Sequence, residues 1–263
     1  MGVSVCNDAF DERMTWAVGT FFDGIEGTTE DGAAVTGRLT FLPHYEEESG
    51  NLVHTGIAYT CRSPDDYDVD IEPEEIHLAG DLCEFCVDPV DDASWLGLEG
   101  AVVFGPFSLQ GEYFTGEVSG DDSASDLDAD GGYVYASFFL TGEHRRYKTS
   151  SGKFNRVKPF RNFYLVDNGE EGGWGAWELA ARYSHVDLEH SSPYTEKATI
   201  DGFTVGLNWY LNPNMRLMFN YVTNGIDYEF TCRDMLPEEN GDGFSESIDG
   251  DVEAFMARFQ VDF

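Results

Sequence analysis

The chain is short of positive charge. Lys+Arg number 15 against 50 Asp+Glu, a formal net charge of -35 over 263 residues. So acidic a surface excludes nucleic acid as a partner unless a basic patch is segregated from the rest, and it suits loops that face salty or cation-rich water. Long apolar runs are missing too: no uncharged stretch approaches the roughly 18 residues of a transmembrane helix. The opening Met1-Gly2-Val3-Ser4-Val5-Cys6-Asn7-Asp8 has neither a basic start nor an apolar core, so it does not read as a signal peptide. Cysteine is sparse and odd in number: Cys6, Cys61, Cys83, Cys86 and Cys232 make no regular framework. Cys83-Glu84-Phe85-Cys86 is a CxxC in an acidic loop without a second CxxC, and it reads as a loop disulfide or free thiols before a redox or zinc site. The histidines show no HExxH spacing, so no metal site follows, and Gly152-Lys153 lacks the upstream glycine of a phosphate-binding loop. With 50 carboxylates some pair falls at glycosidase separation by chance, and no nucleophile signature accompanies one. The chain does not read as an enzyme, and nothing in it calls for a cofactor.

What is present is alternation. Trp177, Leu179, Ala181 and Tyr183 take every second position against Glu178, Ala180, Arg182 and Ser184. Phe203, Val205, Leu207, Trp209 and Leu211 repeat the pattern, and so do Phe255, Ala257, Phe259, Val261 and Phe263 at the end of the chain. A strict period of two is a β-strand with one apolar and one polar face. Segments of about nine residues match a tilted strand crossing a bilayer. Eleven such segments can be placed between Val3 and Phe263, and no helical period of useful length occurs. The breaks between them are short at Asp11–Arg13, Gly105–Pro106 and Asn212–Asn214, and long at Gly24–Ala34, Ser63–Asp92 and Glu229–Gly250. Short turns on one side and long loops on the other mark a transmembrane β-barrel. Trp16 and Trp177 begin strands leaving the short-turn side and Trp209 ends one arriving there, so all three are expected in an aromatic girdle at one membrane interface. The fold class is therefore all-β, an antiparallel porin-like barrel forming a single domain over residues 1–263.

Several stretches resemble the phosphate-selective porin O and P family. They are Gly105-Pro106-Phe107-Ser108-Leu109-Gln110-Gly111-Glu112-Tyr113, Phe139-Leu140-Thr141-Gly142-Glu143-His144-Arg145 and Arg156-Val157-Lys158-Pro159. Gly175–Ser184 and Leu207–Pro213 carry the same resemblance, and the closing Phe263 looks like the assembly signal of outer-membrane barrels. The resemblance runs from about Asn7 to the end and is dense after Trp95. It implies a homotrimeric, 16-stranded channel in outer-membrane lipid that passes small inorganic anions, phosphate or polyphosphate in the best-known members. Against that frame the chain supplies eleven strands, and an even-numbered barrel must begin with an upward strand. The expectation is a C-terminal portion whose first strands and signal peptide are absent. An eleven-stranded sheet alone would leave two unsatisfied edges in lipid.

Seven of the 15 basic residues crowd into one segment: Arg145, Arg146, Lys148, Lys153, Arg156, Lys158 and Arg161. Counting strand directions puts them on the periplasmic side or folded into the pore. They are either an anion-attracting collar or a solvated basic turn that positions the barrel or binds lipid phosphates. Arg38, Arg182, Arg258 and Arg216 lie on polar strand faces and are expected in the lumen; the plain alternative is pairing with a carboxylate such as Glu178, four residues before Arg182. Asp126-Leu127-Asp128-Ala129-Asp130-Gly131 copies the start of an EF-hand loop, but Ser137 stands where the closing glutamate belongs, which leaves a solvated acidic loop as the default and a loose calcium-collecting loop as the alternative. Two other readings compete with the anion porin. One is a general or cation-preferring porin, favoured by the charge of -35. The other is a soluble extracellular β-sandwich binding carbohydrate or calcium, in which Leu179, Leu207 and Val261 would be core.

Overall fold

The computed structural model describes residues 1–22, 32–63, 69–71, 85–87, 90–120, 126–164, 172–191, 194–232 and 244–262. Eleven strands form one antiparallel sheet: β1 (Gly2–Ala9), β2 (Met14–Phe22), β3 (Ala33–Tyr45), β4 (Leu52–Ser63), β7 (Val90–Phe104), β8 (Phe107–Gly120), β9 (Asp126–Phe139), β12 (Ala176–Ser191), β13 (Tyr194–Asn212), β14 (Met215–Cys232) and β15 (Phe244–Val261). Each pairs with its neighbour in chain order, and β1 and β15 are the two edges. The hairpin β5 (Val69–Ile71) with β6 (Phe85–Val87) sits in the connection between β4 and β7. Between β9 and β12 lies a strap containing β10 (Tyr147–Lys148), the 3-10 turn η1 (Thr149–Ser151) and β11 (Lys153–Phe154).

Three features correct the sequence reading. Strands β12 to β15 run 16, 19, 18 and 18 residues, about twice the expected span. Loop lengths separate only in part: the strap joins β9 to β12 at the short-turn end, while β12 and β13 are joined through residues 192–193 at the other. The EF-hand-like stretch is not a loop, because Asp126 to Gly131 are paired in β9, Asp128 opposite Glu189 and Asp130 opposite Asp187. Pro43 explains one irregularity. It has no N–H for the ladder, and the register of β3 against β4 shifts between Phe41 and His44. Phe263, Cys83 and the 75–78 stretch lie outside the described residues, whereas Cys6 and Cys61 are free and exposed.

The strap lies on one face of the sheet, the inner one. Tyr147 and Phe154 pack on buried Leu42, Leu52 and Val103, and Val157 joins Phe139, Ala176 and Tyr210. The outer face carries exposed Val35, Leu39, Ile57, Leu98, Leu109, Val134, Leu179, Phe203, Val205 and Phe255. Leu179 and Val261, core residues in a sandwich, are exposed here. That many aliphatic and aromatic side chains facing outward in a band is a lipid-contacting wall rather than a water-facing one.

Polarity changes sides along β9 and β12 to β15 without any change of register at that level. Above the Tyr183 and Phe203 level, the outer positions become acidic. Asp130, Asp187, Thr199, Asp227 and Asp249 form one row across β9, β12, β13, β14 and β15. Asp128, Glu189, Lys197 and Glu229 form the next, where Lys197 pairs with Glu189 at 2.8 Å. At this same level the inner positions turn apolar and buried: Leu127, Ala129, Leu188, Ala198, Ile200 and Ile226 make one cluster with Val90, Ala93 and Val118. Carboxylates replace hydrocarbon on the outer surface where the strands leave the apolar band, so the level of the change marks the upper limit of the lipid-facing wall.

Candidate functional site

The strap is seated on the inner face at the short-turn end by contacts spread from β2 to the β13–β14 turn. Gly152 closes the 3-10 turn in the left-handed region at φ 59. A Cβ there would meet the hydroxyls of Thr15 and Thr40 at 2.5 and 2.6 Å, so only glycine fits both the conformation and the space. Arg38 donates to the Gly152 carbonyl at 3.2 Å. The Tyr147 hydroxyl meets His54 Nδ1 at 2.7 Å, and His54 Nε2 meets Glu99 at 3.2 Å. Thr149 donates to Glu12. Further along, Arg156 donates to Asn214 at 2.7 Å, Phe163 N–H to the Leu211 carbonyl at 2.7 Å, and buried Glu143 accepts from Phe160 N–H at 3.0 Å. Burial pushes the Tyr147 phenol up to about 12. It also depresses His144, which packs on Gly50 of the β3–β4 turn, and the Arg146 charge adds to that depression.

Beside the strap, the inner face opens into a hollow of about 530 Å³, lined in part by Gln110, Tyr133, Arg145, Glu178, Arg182 and Arg216. The arginines share one property: each is held by an uncharged group. Arg145 donates to the Gln110 amide oxygen and stacks over the Phe154 ring at 4.0 Å. Arg182 lies over the Tyr133 ring at 4.4 Å. Arg216 donates twice to Gln260, at 3.2 and 2.8 Å. Neutral tethers fix the guanidinium groups without cancelling their charge. Arg38 differs, forming an ion pair with Glu99 at 2.6 Å. Asn208 and Thr204 add polar groups to the same hollow.

The sequence-derived residues are thus dispersed. Of the basic run, Arg145 alone lines the large hollow; Arg156 lines a separate one near Asn214, Lys153 one near His54, and Arg146, Lys148, Lys158 and Arg161 are exposed on the strap. Arg38, Arg182 and Arg258 occupy inner positions, alternating with the outer apolar ones, Arg258 being exposed on the edge strand β15. Glu178 does not pair with Arg182. Four positions along a strand are about 13 Å apart, and Glu178 instead accepts from Tyr210 at 2.8 Å and Asn208 at 2.9 Å. Trp177 and Trp209 are register partners stacked at 4.8 Å, their indole N–H groups both donating to the Trp174 carbonyl, and Trp16 stands near the start of β2 at the same end. Gln110, Tyr133 and Gln260 were not singled out in the sequence, although the alternation that placed Arg182 places them too.

The model of the phosphate-selective porin O and P family matches residues 9–263. The chain belongs to that family. Porin O of Pseudomonas aeruginosa (strain ATCC 15692) is 31% identical to this porin over 236 residues, which is 79% of this chain and 50% of the relative. The chain thus spans about half the length of the curated relative it matches. Family membership and the antiparallel sheet agree on a porin-type β-barrel wall, with an apolar outer band and the strap-bearing face turned inward.

Proposed function

We propose that this porin is a passive conduit for small anions, phosphate foremost, across the bacterial outer membrane, and that it performs no catalysis. The observation that carries this reading is the inner hollow. In a chain with 50 Asp+Glu, its three arginines are fixed by Gln110, Tyr133 and Gln260 rather than neutralised by carboxylates. Fixed positive groups at close quarters in a lumen attract anions and repel cations. The exposed cations of the strap, Arg146, Lys148, Lys158 and Arg161, extend that potential toward the short-turn end, which is the periplasmic end of a barrel of this type. Trp16, Trp177 and Trp209 then sit at the periplasmic membrane interface, and the acidic rows stand outside the cell. Residues 1–263 contribute the wall of a single barrel domain, assembled as a trimer in lipid.

Reversal potentials in a KCl gradient across a planar bilayer test this. Anion preference is expected for the channel purified from outer membranes. A strong cation preference would end the anion reading in favour of a cation-preferring porin, the role that the acidic rows on the other half of the strands would support.

A further inference from the structure

Among the arginines of the hollow sits a carboxylate that none of them neutralises. Glu178 is 2% exposed, deep in the wall of β12. Its Oε2 is well satisfied, accepting from Asn208 Nδ2 at 2.9 Å and from the Tyr210 hydroxyl at 2.8 Å. Its Oε1 is not: among the described residues its one hydrogen bond is from the Tyr135 hydroxyl, at 3.5 Å, the outer limit for such a bond. A carboxylate offers about four acceptor sites over two oxygens. Oε1 therefore keeps acceptor capacity, and Glu178 lines the hollow. No Lys or Arg lies within ion-pair distance of it among the described residues. A buried carboxylate left without a cation and with one oxygen underused is costly to keep, and packing alone gives no reason for it.

We propose that Glu178 makes the hollow selective for oxyanions that carry a proton. The inference rests on the anion-conduit reading. Arg145, Arg182 and Arg216 draw an anion into the hollow whatever its identity. Once there, an oxyanion with an O–H, such as hydrogen phosphate, donates to Oε1 and turns the neighbouring negative charge into a hydrogen bond. An anion of the same charge and shape with no proton, such as sulfate, presents only oxygens and is repelled. Discrimination of this kind joins an attractive element to a repulsive one. It is also strong, because a polar site rejects an analogue that lacks the donor it is built to receive.

The deciding comparison uses three dianions at about pH 8, above the second ionisation of phosphate: inorganic phosphate, sulfate and monofluorophosphate, which replaces the phosphate O–H by fluorine. Relative permeabilities are read from bi-ionic reversal potentials of the channel purified from outer membranes. Phosphate is expected to exceed both others by roughly tenfold, the factor that about 1.4 kcal/mol supplies. In Glu178→Gln the gap is expected to close to about twofold, chiefly through gains by sulfate and fluorophosphate. Wild-type permeabilities equal for all three dianions would overturn the proposal, as would a gap unchanged in Glu178→Gln. If chloride preference in KCl persists in either case, the anion conduit stands and the role of Glu178 alone is lost; cation preference in KCl removes both. Should the variant not assemble, the wild-type contrast between phosphate and fluorophosphate still decides.

Discussion

At the residue scale, the partner of each arginine sets what that arginine can contribute. Arg145 and Arg38 lie on the same face, but Glu99 already balances Arg38, whereas Gln110 and an aromatic ring hold Arg145. Arg145→Gln is expected to lower the anion-to-cation permeability ratio by about fivefold, the factor for roughly 1 kcal/mol of lost attraction. Arg38→Gln is expected to change it by less than about twofold. Reversal potentials of the two variants under identical gradients check the ordering, and equal losses would show that partner chemistry does not matter. This scale was the least legible in the sequence. Alternation assigned Arg38, Arg182 and Arg258 to one face, since a period of two needs no knowledge of the fold. It could not say that Glu178 turns to Tyr210 and Asn208, because that contact is made across the β12–β13 ladder, between residues 30 and 32 positions apart.

At the scale of elements, the strap is a docked segment with few and separable anchors. Gly152→Ala introduces a Cβ against two threonine hydroxyls at a left-handed position. Such a change costs about 1–2 kcal/mol, so the strap is expected to loosen. Faster limited proteolysis near Gly152 and a larger single-channel conductance are the readouts; an unchanged conductance would mean that the strap does not narrow the passage. Docking also depends on pH from both sides. His144 has a folded pKa below its ordinary value, so its contribution is full above about pH 6.5 and is lost as pH falls through that value. Tyr147 has a folded pKa raised to about 12, so its contribution is full below about pH 10 and is lost as pH rises toward the folded value. Proteolysis of the strap is therefore expected to be slowest between these limits; a rate that stays flat down to about pH 5 would exclude the histidine. Sequence located this segment by its charge and by strand direction, and read eleven wall strands where the sheet has eleven. It underestimated strand length, because the apolar alternation stops at the membrane edge while backbone pairing continues beyond it, with carboxylates on the outer side.

At the scale of the whole molecule, charge is segregated along the strands. The strap gathers seven of the 15 basic residues at one end, and the outer positions of β9, β12, β14 and β15 present Asp and Glu at the other. Exposed charge is screened by salt far more than charge in a hollow. The Debye length falls from about 30 Å at 0.01 M to about 3 Å at 1 M. Anion preference is accordingly expected to rise with ionic strength, as the acidic end ceases to deplete anions near the mouth. Reversal potentials in equal-ratio KCl gradients at low and high mean concentration measure this, and a preference that weakens with salt would show that the rows do not govern access. Net charge alone, at -35, pointed to cations; it averages two ends that the fold keeps apart.

The hairpin of β12 and β13 also has a use outside permeation. From Phe203 back to Thr195 the strand continues past the aromatic level for roughly 26 Å at about 3.3 Å per residue, paired throughout with β12. A parapet of that height carries the Ser191–Thr195 end of the hairpin well beyond the aromatic level and away from the arginine hollow. A short epitope tag inserted there would be reachable by antibody on intact cells, so the barrel wall doubles as a stand for surface display.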